Sequence, residues 1–121
     1  MTENSNSKQY DLEERTYEFS KNVRLLIKKL ANTIANTEDS KQLVRSSGSV
    51  GANYIEANES LSKKDFVFRI KICRKEAKES RYWLRLVDIK EDLKLDNIRQ
   101  SLINESEELT KIFGAILEKC K

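Results

Sequence analysis

The sequence predicts an all-α protein, an up-down-up-down four-helix bundle. Three observations carry this. The 121 residues include no proline and only three glycines, too few turn formers for an all-β domain. Four stretches repeat apolar residues at spacings of three and four. Short polar breaks separate those stretches. The length suits one domain, so residues 10–121 are expected to form the bundle. The Ser/Asn-rich segment 1–9 reads as a disordered tail.

The first helix is expected over about 11–32. Leu12, Phe19 and Leu26 repeat every seven residues, Thr16, Val23 and Leu30 fill the alternate position, and Ile27 and Ile34 widen the stripe. The polar run Asn32–Thr37 reads as a connection.

The second helix is expected over about 39–59, with Leu43, Val50, Tyr54 and Leu61 on its apolar line and Ser47 between. Its middle is very small: Ser46, Ser47, Gly48, Ser49, Gly51 and Ala52. Two interior glycines cost about 1 kcal/mol each relative to Ala. Close approach of a neighbouring helix would offset that cost; the alternative is a loop. The apolar spacing runs on to Tyr54 and Ile55, which favours the helix.

Ser62-Lys63-Lys64-Asp65 has the form of a capping box and opens the third helix, expected over about 63–89. Phe66, Ile70, Cys73, Ala77, Ser80, Leu84 and Val87 form its stripe. Lys90–Lys94 reads as a turn. The fourth helix, about 95–118, is carried by Leu95, Ile98, Leu102, Leu109, Ile112 and Ile116, supported by Phe113 and Leu117.

Composition removes several function classes. Without histidine there is no Ser-His-Asp or Cys-His site, and no Glu-x-x-His motif to make a di-metal centre from carboxylates such as Glu56 and Glu76. No cofactor, metal, small-molecule substrate or enzymatic activity is expected. Cys73 and Cys120 stand at no metal-ligand spacing and read as reduced thiols. No apolar run approaches a membrane span, and the N-terminus has no signal-peptide core, so a cytoplasmic protein is expected.

Charge is concentrated in one place. Residues 62–88 hold nine basic and four acidic groups, net +5, against +3 for the whole chain. On a helical wheel Lys64, Lys71, Arg74, Lys75, Lys78, Arg81 and Arg85 make one continuous basic flank. It is either a solvated face, helped by Glu76 and Glu79 at pairing distance from Lys75 and Lys78, or a surface that tracks phosphates. Tyr82 and Trp83 could stack on bases, although packing roles are favoured. The opposite flank carries Ile72, Trp83 and Leu86, outside the expected core positions. That reads as an oligomer interface, the alternative being that Trp83 caps the core. Arg45, Ser49, Asn53 and Glu56 line one side of helix two and could fix register or subunit geometry.

The run Leu43-Val44-Arg45-Ser46-Ser47-Gly48-Ser49-Val50-Gly51-Ala52-Asn53-Tyr54-Ile55-Glu56-Ala57 resembles the second-helix signature of bacterial four-helix-bundle proteins encoded in 23S rRNA intervening sequences. Ser62, Asp65-Phe66 and the run Ile72–Leu84 resemble the third-helix signature of the same family. The likeness covers nearly the whole chain after Tyr10. It implies a left-handed antiparallel bundle assembled as a homopentamer. It also implies structural or inter-subunit roles for Arg45, Ser49, Asn53, Glu56 and Glu76. The family is similar to the accessory variability protein of diversity-generating retroelements, a strongly basic pentamer that associates with RNA. Many members carry a proline ahead of the signature Asn; here the segment reads Val50-Gly51-Ala52-Asn53. The function expected is therefore an oligomeric, non-enzymatic protein that binds structured RNA or a ribonucleoprotein through the basic flank. The alternative is a protein-interaction scaffold without nucleic acid.

Overall fold

A computed structural model of the chain describes the backbone of residues 3–121 and the side chains of residues 12–121. Four helices follow in order: α1 Glu3–Lys29, α2 Ile34–Asn58, α3 Lys63–Leu86 and α4 Leu93–Lys119. Helix α1 thus begins well before the expected start near Asp11, since its first turns contain no Pro or Gly to stop a helix. Met1, Thr2 and the side chains of residues 3–11, on which most of the tail reading falls, lie outside the described residues.

Each helix packs on two neighbours in a closed ring, α2·α3 and α3·α4 most extensively, with α1·α4 completing it. Among the described residues the diagonal helices do not approach in backbone, but Tyr54 of α2 and Phe113 of α4 meet across the core, ring centroids 6.0 Å apart. Contacts between neighbours reverse in number along the chain. Glu13 meets Asn58 and Thr16 meets Gly51 between α1 and α2. Asn53 meets Arg69 and Ser46 meets Ser80 between α2 and α3. Arg74 faces Gly114 and Arg81 meets Glu107 between α3 and α4.

The core is built from the predicted stripes: Phe19, Val23 and Leu26 of α1, Leu43 and Val50 of α2, Ile70, Cys73 and Leu84 of α3, and Leu109 and Phe113 of α4. Burial pushes the Cys73 thiol up to about 12, so it behaves as a small apolar side chain. Both cysteines are free.

The stripes fail at the helix breaks. Ile34 is 88% exposed and Leu61 99% exposed, because the chain leaves its helical phase at 30–33 and 59–62. The expected connection Asn32–Thr37 is mostly helix. Thr33 is the N-cap of α2, its hydroxyl accepting from the Asn36 amide at 3.1 Å. The buried Asn36 carboxamide donates to the carbonyls of Ala31 (3.0 Å) and Asp88 (2.9 Å) and accepts from Asp88 N (2.8 Å). It clamps the α1–α2 link to the end of α3. That end comes at Leu86, three residues short of expectation. Ser62 caps α3 as expected, accepting from Asp65 N at 3.1 Å. Asp92 caps α4 through Lys94 N and Leu95 N. The turn between them takes Lys90 and Glu91 through positive φ (55° and 59°) without glycine, Asp88 Oδ1 accepting from Lys90 N at 2.8 Å.

Helix α2 runs unbroken through its glycines, and one of them has the expected reason. A Cβ on Gly51 would lie 2.9 Å from Thr16 Oγ1 and 3.2 Å from Thr16 Cβ. The Thr16 hydroxyl is held by the carbonyls of Leu12 (2.9 Å) and Glu13 (3.0 Å), so it cannot yield freely. A Cβ on Gly48 would meet nothing nearer than Arg24 Nη2 at 3.5 Å, an ordinary contact. The two glycines therefore respond oppositely to alanine. We expect Gly48→Ala to stabilise the fold by about 0.5–1 kcal/mol through helix propensity. Gly51→Ala is expected to destabilise it by about 1 kcal/mol, overpacking outweighing the same gain. Urea unfolding followed by circular dichroism checks both signs.

Candidate nucleic-acid interface and the polar seam beside it

The basic flank exists as a surface. Its core ridge, Ile70, Cys73, Ala77 and Leu84, is buried against α2 and α4, which turns the cations outward. Lys64, Lys71, Arg74, Lys75, Lys78 and Arg85 are exposed, and among the described residues none of the six makes an ion pair within 4 Å. Lys71, Arg74, Lys75 and Lys78 line one shallow groove with Leu117 of α4. Arg81 departs from the expectation. It is half-buried, and its Nε donates to Glu107 of α4 at 2.6 Å. Its charge is paired across the solvent-facing edge of the α3–α4 seam, and no pattern within α3 could have revealed a partner on another helix.

On the other flank, α2 and α3 are joined by a line of polar contacts. Arg69 Nη1 donates to Asn53 Oδ1 at 2.9 Å, and the Asn53 amide donates to Ser49 Oγ at 2.9 Å. Ser80 donates to Ser46 at 2.9 Å in full burial. Arg45 spans two carboxylates, Glu76 at 3.4 Å and Glu79 in close contact. Trp83 Nε1 also donates to Glu79, at 3.1 Å. Thus Arg45 meets Glu76, while Ser49 and Asn53 form a second group with Arg69 along the same seam. Glu56 joins neither: it is exposed, and among the described residues its carboxylate makes no contact with the seam. Arg69, Ser46, Ser80 and Glu79 belong to the seam as well, and the polar spacing along α2 does not point to them. Glu79, expected to pair with its lysine neighbours, turns instead to Arg45 and Trp83.

Burial acts to raise the Glu79 carboxyl, but the hydrogen bonds from Trp83 and Arg45 and the nearby charges of Arg45 and Lys75 outweigh it and hold the group below the usual range. The same hydrogen bond to Glu79, with the charges of both carboxylates, raises the Arg45 guanidinium against the cost of burial. Glu79 is thus a fixed anion that structures the seam.

The apolar flank divides. Ile72 and Trp83 are half-buried, and Trp83 packs on the core, while Leu86 is 48% exposed. Phe68, which the spacing does not single out, and Tyr82, for which a packing role is expected, are 59% and 54% exposed. Tyr82 stands edge-on to Trp83, ring centroids 5.0 Å apart, and is no core residue. Among the described residues no cluster of three or more Cys, Asp or Glu could hold a metal ion. No described helix is long and apolar enough to cross a membrane.

The lowered Glu79 sets a pH dependence. A carboxyl depressed by folding contributes stability above its unfolded value of about 4.3, and that contribution disappears as pH falls through the folded value. The stability difference between wild type and Glu79→Gln is expected to be constant above about pH 5 and to shrink steadily below about pH 4.3. Chemical denaturation across pH 3–7 reads it.

Comparison with known proteins places this bundle. The model of the 23S rRNA-intervening sequence proteins matches residues 8–115. A solved structure from Bacteroides thetaiotaomicron, a protein of unknown function from the S23 ribosomal protein family determined at 1.70 Å, is 33% identical, with a TM-score of 0.72. The match covers 87% of this chain and 96% of that one. No functionally curated protein matches the chain. A family match across most of the sequence, and a solved relative with the same fold, show that the chain belongs to the 23S rRNA-intervening sequence protein family.

Proposed function

We propose that this protein is a non-catalytic, self-associating module of the cytoplasm that docks on structured RNA or a ribonucleoprotein through the basic flank of α3. One observation carries the RNA reading: six exposed cations on one helix have no ion-pair partner among the described residues. A row of uncompensated charge on a rigid helix attracts a polyanion at long range and orients it without reading bases. The family's name ties its members to 23S rRNA intervening sequences, which agrees with such a ligand.

Arg81 is a poor test residue, because Arg81→Glu would set a carboxylate against Glu107 and strain the α3–α4 seam. Arg74 and Lys78 are exposed and make no ion pair within 4 Å. Fluorescence anisotropy with a structured rRNA fragment is expected to show an affinity that falls steeply with salt. The slope flattens by about two in Arg74→Glu/Lys78→Glu, roughly 0.9 for each phosphate no longer neutralised. Binding that is equal in the variant removes the flank from the interface. No binding even at low salt turns the reading to a scaffold for a protein partner.

Self-association rests on Leu86, whose side chain stands open near the half-buried Trp83, while the half-buried Ile72 lies farther back along the same side of α3. Exposed apolar surface at that end of α3 suits a second copy of the chain. Analytical ultracentrifugation is expected to show an oligomer in the wild type and a shift toward monomer in Leu86→Glu, with helix content unchanged.

A further inference from the structure

The outermost ridge of α3 is more than a row of charge. From Lys64 it passes through Phe68, Lys71, Lys75, Lys78 and Tyr82 to Arg85, in steps of four and three, so these residues share one face. All of them are exposed. Two aromatic rings therefore stand in solvent among five cations, with three of the lysines between the rings. The ring positions are fourteen residues apart, about 21 Å along the helix.

The rings are held, not loose. Tyr82 leans edge-on against Trp83 at 5.0 Å and 79°, and Trp83 is itself held by its hydrogen bond to Glu79 at 3.1 Å. The Arg69 guanidinium lies 5.9 Å from the Phe68 ring centroid. Glu76 and Glu79 of α3 hydrogen-bond to Arg45 and form no ion pair within 4 Å with a ridge lysine, though the charge of Lys75 still acts on Glu79.

Base pairing and stacking hide base faces inside a duplex, so protruding rings add nothing to its recognition. Unpaired bases offer those faces, and a positive track with spaced aromatic platforms is how single strands are bound without sequence readout. We infer that the α3 ridge takes unpaired RNA, with Phe68 and Tyr82 stacking on bases and Lys71, Lys75 and Lys78 holding the phosphates between them. The span suits roughly four to six nucleotides of one strand. This rests on the RNA-docking reading above and narrows it to single-stranded segments, such as loops of a folded RNA.

The test uses the full-length protein and a mixed-sequence 12-nucleotide RNA, alone and annealed to its complement. Anisotropy is read for wild type, Phe68→Ala, Tyr82→Ala and Lys71→Glu/Lys78→Glu, with circular dichroism and sedimentation for each. The single strand is expected to bind more tightly than the duplex. Each alanine should weaken single-strand binding about ten-fold and leave duplex binding unchanged, while the lysine reversal weakens both. Quenching of Trp83 fluorescence by the single strand, abolished in Tyr82→Ala, would support the stacking. Duplex binding equal to or tighter than single-strand binding, or alanine variants that bind like wild type, overturns this inference and leaves RNA docking standing. Failure of both RNAs to bind at low salt overturns both. A change of sedimentation in Phe68→Ala at unchanged helix content assigns the ridge to a second copy of the chain instead, and overturns it too.

Discussion

Arg45 reaches from α2 across the seam to two carboxylates of α3, Glu76 and Glu79, and much of the molecule follows from that contact. Glu76 is only 6% exposed, and a buried carboxylate without a cation would be strongly destabilising. With Arg45 in place, α2 and α3 can close into one of the two best-packed seams of the bundle. The same contact has an electrostatic effect on the far side of α3. Glu79 sits one turn from both Lys75 and Trp83, where it could have neutralised the basic flank. Drawn toward α2, it fixes Trp83 and makes no ion pair within 4 Å with the lysines, although the charge of Lys75 still reaches it.

The interior achieves close packing by a second route, small hydroxyl residues that satisfy themselves. Thr16, Ser46, Ser80 and Ser106 are buried, and each donates to a carbonyl of its own helix or to another hydroxyl. Such side chains carry no unpaired donor into the core and keep the helices close. Gly51 against Thr16 is the extreme case, where even a methyl group does not fit. The polar middle of α2, which looks like a loop by composition, is therefore the place where two neighbouring helices approach it.

Much of this is legible in the sequence because burial within a helix has a period. Phe19, Leu26, Leu43, Val50, Ile70, Leu84, Leu109 and Phe113 announce themselves by spacing alone, and Ser62 announces the start of α3. Spacing misleads where the period is interrupted, and so Ile34 and Leu61 belong to no core. The start of α2 is hidden because Asn36 and Thr33 are weak helix formers; their value lies in a cap and a clamp to Asp88, fifty-two residues away. Polar partners across helices are equally invisible in one helix read by itself. Arg81 looks like its neighbours until Glu107 of α4 claims it, and Glu56 looks like Asn53 although only Asn53 faces Arg69.

One helix thus presents three surfaces of different chemistry. Its inner ridge is core, its α2 side holds the polar seam, and its outer side carries cations, two rings and the apolar strip ending at Leu86. Leu86 and Ile72 border the cationic ridge, because Ile72 stands one helical turn from Phe68 and Lys75, and Leu86 one turn from Tyr82. A copy of the chain packed on the strip would leave the ridge at the margin of that contact. Every subunit of such an assembly would then offer the same row of charge on one continuous surface. A single row of five or six cations binds weakly at physiological salt. Rows repeated within reach of one RNA raise the effective concentration for each later contact, and the whole binds far better than any part. On the proposed reading, self-association and polyanion binding on one helix would reinforce each other, so a chain with a net charge of only +3 would need no stronger individual site.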